Sequence, residues 1–367
     1  MSKIVSISTA LPPFKHRQND ILHFMQKVYA MNEAEKRKLK FLYHQSAIET
    51  RYSVLPDYSL DAGEWQFYPA TENLEPFPDL ELRMKWYYKN APALSVNAVE
   101  KCISQKIKKE EITHLITVSC TGMSAPGLDL QIMEIMDLPK NIFRTSVNFM
   151  GCYAAIHGMK LADSFCKNDK NAKVLVVCTE LCTLHFQKEP TIDNIASGLL
   201  FGDGAAAVLV THDENGLEGL KMKNFYSEVE FDGKEHMSWE ISSSGFLMTL
   251  SGYVPELIEQ DFNQLLQNAL QNANMKEADI SHWCIHPGGK RILTSIEKCT
   301  SVSEDDLQYS FRVLNDYGNM SSPTILFVLK EIMNSLEGRK EKQTNIFGAA
   351  FGPGLTMETF ILSGDGL

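Results

Sequence analysis

Two signals occur twice in this chain, in the same order. In the first half a strand-like run, Phe143 to Phe149, meets Met150-Gly151-Cys152 and then a helix-forming run of small residues reaching about Phe165. Further on, Phe201-Gly202-Asp203-Gly204 leads into the apolar stretch Ala205–Val210. In the second half Asp316-Tyr317-Gly318-Asn319 opens another helical run, and Phe351-Gly352-Pro353-Gly354 leads into a second apolar stretch. A strand, a Gly-X turn, a helix and an FG-X-G entry, repeated in order, point to a duplicated α/β unit. We divide the chain into residues 1–212 and 213–367. A pseudo-twofold relation between the units would bring Cys152 and Asn319 to facing helix ends near the centre of the molecule.

Short apolar strands alternate with helical stretches elsewhere too. Strands are expected at Leu115–Val118, Val174–Cys178, Ala205–Val210 and Trp283–His286, and helices at Ala91–Ile107, Cys152–Cys166, Pro255–Ala273 and Met320–Ser335. Residues 56–79, rich in Pro, Tyr and acidic side chains, read as an ordered surface excursion. Asp213–Gly219 and Glu337–Gln343 read as solvated connections.

At 367 residues the chain exceeds one simple core, though a large single α/β unit stays open. A net charge of −11 argues against a nucleic-acid or anionic-membrane partner, yet a local basic mouth for an anionic ligand can coexist with it. No apolar run is long enough for a membrane span. Lys3–Ala10 alternates like a strand and then meets Leu11-Pro12-Pro13, unlike a signal peptide. The eight cysteines form no CxxC pair, so they read as reduced thiols of a cytoplasmic protein. His282, Cys284 and His286 share one face of a strand, but no further ligand cluster accompanies them, and no metal is expected.

Cys152 stands where a strand turns into a helix, beside unpaired backbone N–H groups that favour thiolate over thiol. It therefore reads as a nucleophile or, equally on this segment alone, as a small buried core residue. His286 ends a strand before Pro287-Gly288-Gly289, a turn that lets the imidazole project past the sheet; alternatively it is a solvated strand-end histidine. Asn319 reads as a hydrogen-bond donor to a developing negative oxygen, or as a simple helix cap.

Taken together, these segments resemble a known family. Gly151-Cys152, Leu200-Phe201-Gly202-Asp203-Gly204-Ala205, Ile285-His286-Pro287-Gly288-Gly289, Tyr317-Gly318-Asn319-Met320-Ser321-Ser322 and Phe351-Gly352-Pro353-Gly354-Leu355-Thr356 are similar to motifs of type III polyketide synthases. These are the chalcone synthase-like members of the thiolase superfamily. The resemblance runs from about Thr113 to the C-terminus. It implies a homodimer of αβαβα five-layered subunits built from two duplicated halves, with no permanently bound cofactor. Acyl-CoA and malonyl-CoA, both coenzyme A thioesters, are the implied substrates. Cys152, His286 and Asn319 are the implied catalytic set.

The resemblance also implies a pocket. Phe201 matches a gatekeeper aromatic, and Met248 falls where plant members carry a second Phe. Cys120, in a segment that resembles bacterial members, Cys182, His185, Ser321, Gly352 and Pro353 fall at pocket positions. Trp239 would reshape that pocket, and Ala125 replaces a larger interface residue of plant members. Small groups at Cys120, Cys182 and Ala125 leave room for an alkyl chain, so the expected starter is aliphatic and the product an alkylpyrone or alkylresorcinol. Arg51 is the nearest match to a basic cluster for coenzyme A phosphates. A ketoacyl-carrier-protein synthase III-like enzyme and a Cys-His thioester hydrolase are the alternatives.

Overall fold

The computed structural model describes residues 1–29, 31–71, 73–338 and 344–364, so most of the connection expected at Glu337–Gln343 lies outside the described residues. Nine strands form the main sheet: β1 (Ser2–Ala10), β2 (His114–Ser119), β3 (Phe143–Asn148), β4 (Lys173–Leu181), β5 (Asp203–His212), β6 (Leu220–Val229), β7 (His282–Ile285), β8 (Thr344–Gly352) and β9 (Thr356–Gly364). Their spatial order is β7-β8-β9-β6-β1-β5-β4-β2-β3.

This sheet consists of two similar halves. β1 runs antiparallel to β5, β5 antiparallel to β4, and β4 parallel to β2. In the second half β6, β9, β8 and β7 repeat those relations in that order. Two residue pairs, Lys3 with Lys221 and Ile4 with Leu220, join the halves between β1 and β6. β3 extends the first half and has no counterpart among the described residues of the second.

Alternation of side chains along the strands sorts them into three cores. Leu115, Leu175, Val177 and Ala207 pack outward with Ala91, Ala98 and Val99 of α1 (Leu80–Ile103). Ile116, Val176 and Val208 face inward, as do Ile346, Phe360 and Leu362 of the other half. Between these faces lie two helices, α2 (Ala154–Asn168) and α6 (Thr324–Leu336). Trp283, Ile285 and Phe347 pack outward on α4 (Val254–Asn272) and α5 (Lys290–Cys299). A nine-residue wall helix, α3 (Ile192–Leu200), stands outside these layers. The layers therefore run helix, sheet, helix, sheet, helix, as expected.

Composition explains the middle layer. Residues 324–329 of α6 are buried on every side, which only an interior helix allows. α2 approaches its sheet closely because it is rich in Ala and Gly; a Cβ on Gly158 would press into Val176 and Val118.

Three expectations need correction. α2 starts at Ala154 and α6 at Thr324, so Cys152 and Asn319 sit in turns just ahead of the helices. α1 begins at Leu80 rather than Ala91: the Asp79 carboxylate caps it by accepting from Leu82 N, and Arg83 and Tyr87 are buried in its first half. Residues 56–71 and 73–79 are ordered but not superficial. The buried Asp57 carboxylate accepts from the backbone N–H groups of Gln66, Phe67 and Tyr68, and Tyr58, Phe67 and Tyr68 join the first core.

Candidate active site

The site forms where each half touches the helix-entry turn of the other. Before α2 the chain reverses through Phe149 (φ 58°) and Gly151 (φ 84°). The open face of Gly151 is covered by Pro353, and a Cβ on Gly352 would come within 3.2 Å of Cys152 N and overlap Tyr153. Before α6 the chain reverses through Gly318 (φ 67°), whose open face is covered by Leu200 O and the Arg51 side chain. Asn319 N donates to Leu200 O at 2.9 Å, and Gly202 N donates to Asn319 O at 2.9 Å. Each FG-X-G segment thus docks on the Gly-X turn of the opposite half.

Cys152, His286 and Asn319 border one cavity of about 470 Å³. All three are buried, at 8%, 1% and 3% exposure. Asn319 Oδ1 accepts from Ser321 N at 2.8 Å, which fixes the amide orientation and leaves Nδ2 to donate; its contact with Gly288 O is long, at 3.4 Å. Both ring nitrogens of His286 are buried without a partner. Burial lowers its pKa to about 3, so the imidazole is neutral.

Cys152 departs from the thiolate expected of it. Burial pushes the thiol up to about 11, against hydrogen bonds from Ser321 and Asn319 that lower it, while the Glu180 charge raises it further. Its helix starts two residues later and has no side-chain cap, so the dipole reaches the sulfur weakly and desolvation wins.

Of the residues expected in the pocket, Phe201, Met248, Cys120, Cys182, Ser321 and Pro353 border the cavity. Gly352 lies behind the wall against Tyr153. His185 faces a smaller annexe of about 40 Å³, which shares Cys182, Phe201, Trp239 and Met248 with the main chamber. There its Nδ1 accepts from Phe246 N, so Nε2 donates to Thr121 O, and the ring stacks on Phe246 at 4.2 Å. Trp239 borders both spaces, with its indole N–H donating to Cys120 O. Ala125 is exposed and does not line the cavity.

Arg51 is not at the mouth. It is 3% exposed, with Nη1 donating to Phe201 O and Nε to Gln18 Oε1. Its place in a strand, Thr50–Ser53, paired with Phe14–Arg17 turns the side chain inward. The cations that do border the cavity are Lys290 and Arg291, both exposed at the start of α5.

Sequence reasoning missed two further features. The buried Glu180 carboxylate accepts from Cys120 N, Thr121 Oγ1 and Ser322 Oγ, tying the two halves together beside the cysteine. Burial pushes it up to about 7. No neighbouring residue in the sequence marks it as buried except the apolar run that precedes it. The second is α3, whose Ile192, Ile195, Ala196 and Leu199 form an apolar wall; its short apolar periodicity was the available signal.

Comparison with known proteins agrees with this architecture. Residues 1–214 match the N-terminal domain of chalcone and stilbene synthases, and residues 225–365 match the C-terminal domain. The crystal structure of PKS-I from the brown alga Ectocarpus siliculosus superposes with a TM-score of 0.91 at 26% identity, covering 98% of this chain and 97% of that one. The C-terminal type III polyketide synthase domain of Steely1, a type I/III hybrid from Dictyostelium, shares the fold with a TM-score of 0.90 at 24% identity, covering 99% of each chain. The chain belongs to the chalcone and stilbene synthase family and is a type III polyketide synthase, an acyltransferase. No helix among the described residues is long and apolar enough to cross a membrane.

Proposed function

We propose that this synthase condenses malonyl-CoA with an aliphatic acyl-CoA starter held on Cys152. The Cys152 sulfur attacks the starter thioester, its proton passes to the neutral His286 imidazole, and coenzyme A leaves carrying that proton. His286 and the Asn319 amide then hold the thioester oxygen of malonyl-CoA. Loss of CO₂ leaves an enolate whose negative oxygen these two donors stabilise. Its carbon attacks the Cys152 thioester and expels the sulfur, giving a β-ketoacyl-CoA longer by two carbons. Reloading repeats the cycle until the chain cyclises to an alkylpyrone or alkylresorcinol. Removing one well-placed donor to such an oxygen typically costs about 3 kcal/mol.

The observation that carries this reading is the orphaned imidazole. A histidine buried to 1% exposure, with neither nitrogen partnered, opens onto the same cavity as a buried thiol and an amide whose oxygen is already engaged. Leaving such groups unpaired is costly unless a ligand completes them. The apolar wall of α3 supports an alkyl starter. Lys290 and Arg291 at the rim are proposed to meet coenzyme A phosphates in place of Arg51. A homodimer is proposed to form at the open sheet edge beside β3, where Phe143 is 70% exposed.

The test is a chain-length series of acyl-CoA starters with ¹⁴C-labelled malonyl-CoA, without a carrier protein. Release of labelled CO₂ and alkyl-bearing products by mass spectrometry are expected. Free malonate instead of CO₂ refutes condensation, and turnover of aromatic or short starters alone refutes the aliphatic assignment.

A further inference from the structure

We infer that Arg51 is a positioning residue that locks Phe201 and Asn319 together by capping the C-terminal end of α3. This rests on the roles proposed above for Cys152 and Asn319, and goes beyond them in assigning how the second is held.

A helix leaves its last carbonyls without intrahelical partners. At the end of α3 three consecutive carbonyls each find a different donor. Gln18 Nε2 donates to Leu199 O at 2.9 Å, Asn319 N donates to Leu200 O at 2.9 Å, and Arg51 Nη1 donates to Phe201 O at 2.6 Å. Arg51 Nε donates to Gln18 Oε1 at 2.9 Å, so the two outer donors are themselves joined. A guanidinium here also faces the negative end of the helix dipole. Arg51 Nη2 has no partner, so two of its three nitrogens make the clamp.

The same side chain bears on the catalytic turn. The Arg51 stem fills the space that a Cβ on Gly318 would occupy. Its neighbours hold the approach to that turn, with Glu49 N donating to Asn315 O at 2.8 Å and Thr50 Oγ1 donating to Asp316 O at 2.7 Å. No residue of α3 is fully buried; Ile195, Leu199 and Leu200 pack only partly buried against the cores, so the polar clamp adds to that packing in fixing its end. Cys152 is held differently, by Pro353 and Gly352 of the other crossing turn, which Arg51 does not touch.

The consequence is selective. Loosening the clamp displaces Asn319 and leaves the thiol in place. Intact-protein mass spectrometry follows acylation of Cys152 by the starter, and CO₂ release from malonyl-CoA follows the step that needs Asn319. Arg51→Met is expected to slow decarboxylation about 100-fold while acylation stays within about threefold, since a misplacement near 1 Å costs that much. Arg51→Lys is expected to lose nearly as much, because an ammonium cannot reproduce the two-pronged fork. Should Arg51→Met fail to fold, Gln18→Leu carries the test, with a loss of about tenfold in decarboxylation and none in acylation. Equal losses in both half-reactions, or no loss in decarboxylation, overturn the inference. A wild-type enzyme that performs neither half-reaction instead overturns the site reading, and this inference with it.

Discussion

The turns before α2 and α6 are built alike and do different things. Each has a glycine at positive φ, each turn is contacted by the FG-X-G segment of the opposite half, and each feeds a helix of the middle layer. One turn presents a thiol, the other a carboxamide. The thiol is left almost entirely to desolvation, which makes it a poor acid. The amide is oriented by Ser321 N and locked through its backbone to Leu200 and Gly202. The two similar halves thus differ by one residue at each turn and by the groups that brace it, and on the proposed roles one half supplies the nucleophile and the other the donor.

That division is broken most completely at the two residues themselves. Cys152→Ala is expected to abolish the acyl-enzyme seen by mass spectrometry, with CO₂ release from malonyl-CoA persisting. Asn319→Ala is expected to do nearly the reverse, slowing acylation only a little through the lost hydrogen bond to Cys152 and reducing CO₂ release about 100- to 1,000-fold. Matching losses in both assays for both variants would mean that the halves do not divide the chemistry.

The acidity of the thiol sharpens the contrast. With Cys152 raised to about 11, its thiolate fraction rises about tenfold per pH unit throughout the neutral range. Alkylation of Cys152 by iodoacetamide should therefore accelerate steadily from pH 6 to pH 9 on that slope, without the plateau of an acidic thiol. A plateau near neutrality would restore the thiolate expected from the helix terminus.

The smallest effects belong to the glycines. Gly151→Ala would drive a Cβ to 2.1 Å from the Pro353 ring, whereas Gly318→Ala meets Leu200 O at 2.7 Å and the Arg51 stem at 2.9 Å, a milder overlap. Chemical denaturation should show losses of about 3 kcal/mol for the first and about 2 kcal/mol for the second, strain at positive φ included. Equal losses would argue that the two turns are equally tight.

Much of this was legible in the chain. The repeated Gly-X turn and FG-X-G entry foretold two equivalent units, because the motifs mark places where backbones approach too closely for a side chain. The order of Cys152, His286 and Asn319 foretold a shared centre. Why the motifs come in pairs was not legible: Gly202 belongs with Gly318, and Gly352 with Gly151, across more than a hundred residues each way in a crossing that only packing reveals. Arg51 was misread for a similar reason. A lone arginine beside Thr50 and Tyr52 looks solvent-facing until pairing with Phe14–Arg17 turns it inward.

Local residue choice, then, determined this protein's layered architecture and its trio of polar groups, since periodicity and glycine placement act over a few residues. Burial was decided by the tertiary structure alone. Desolvation depends on what surrounds an atom from every direction, and it set the acidity of Cys152, the neutrality of His286 and the elevation of Glu180 to about 7.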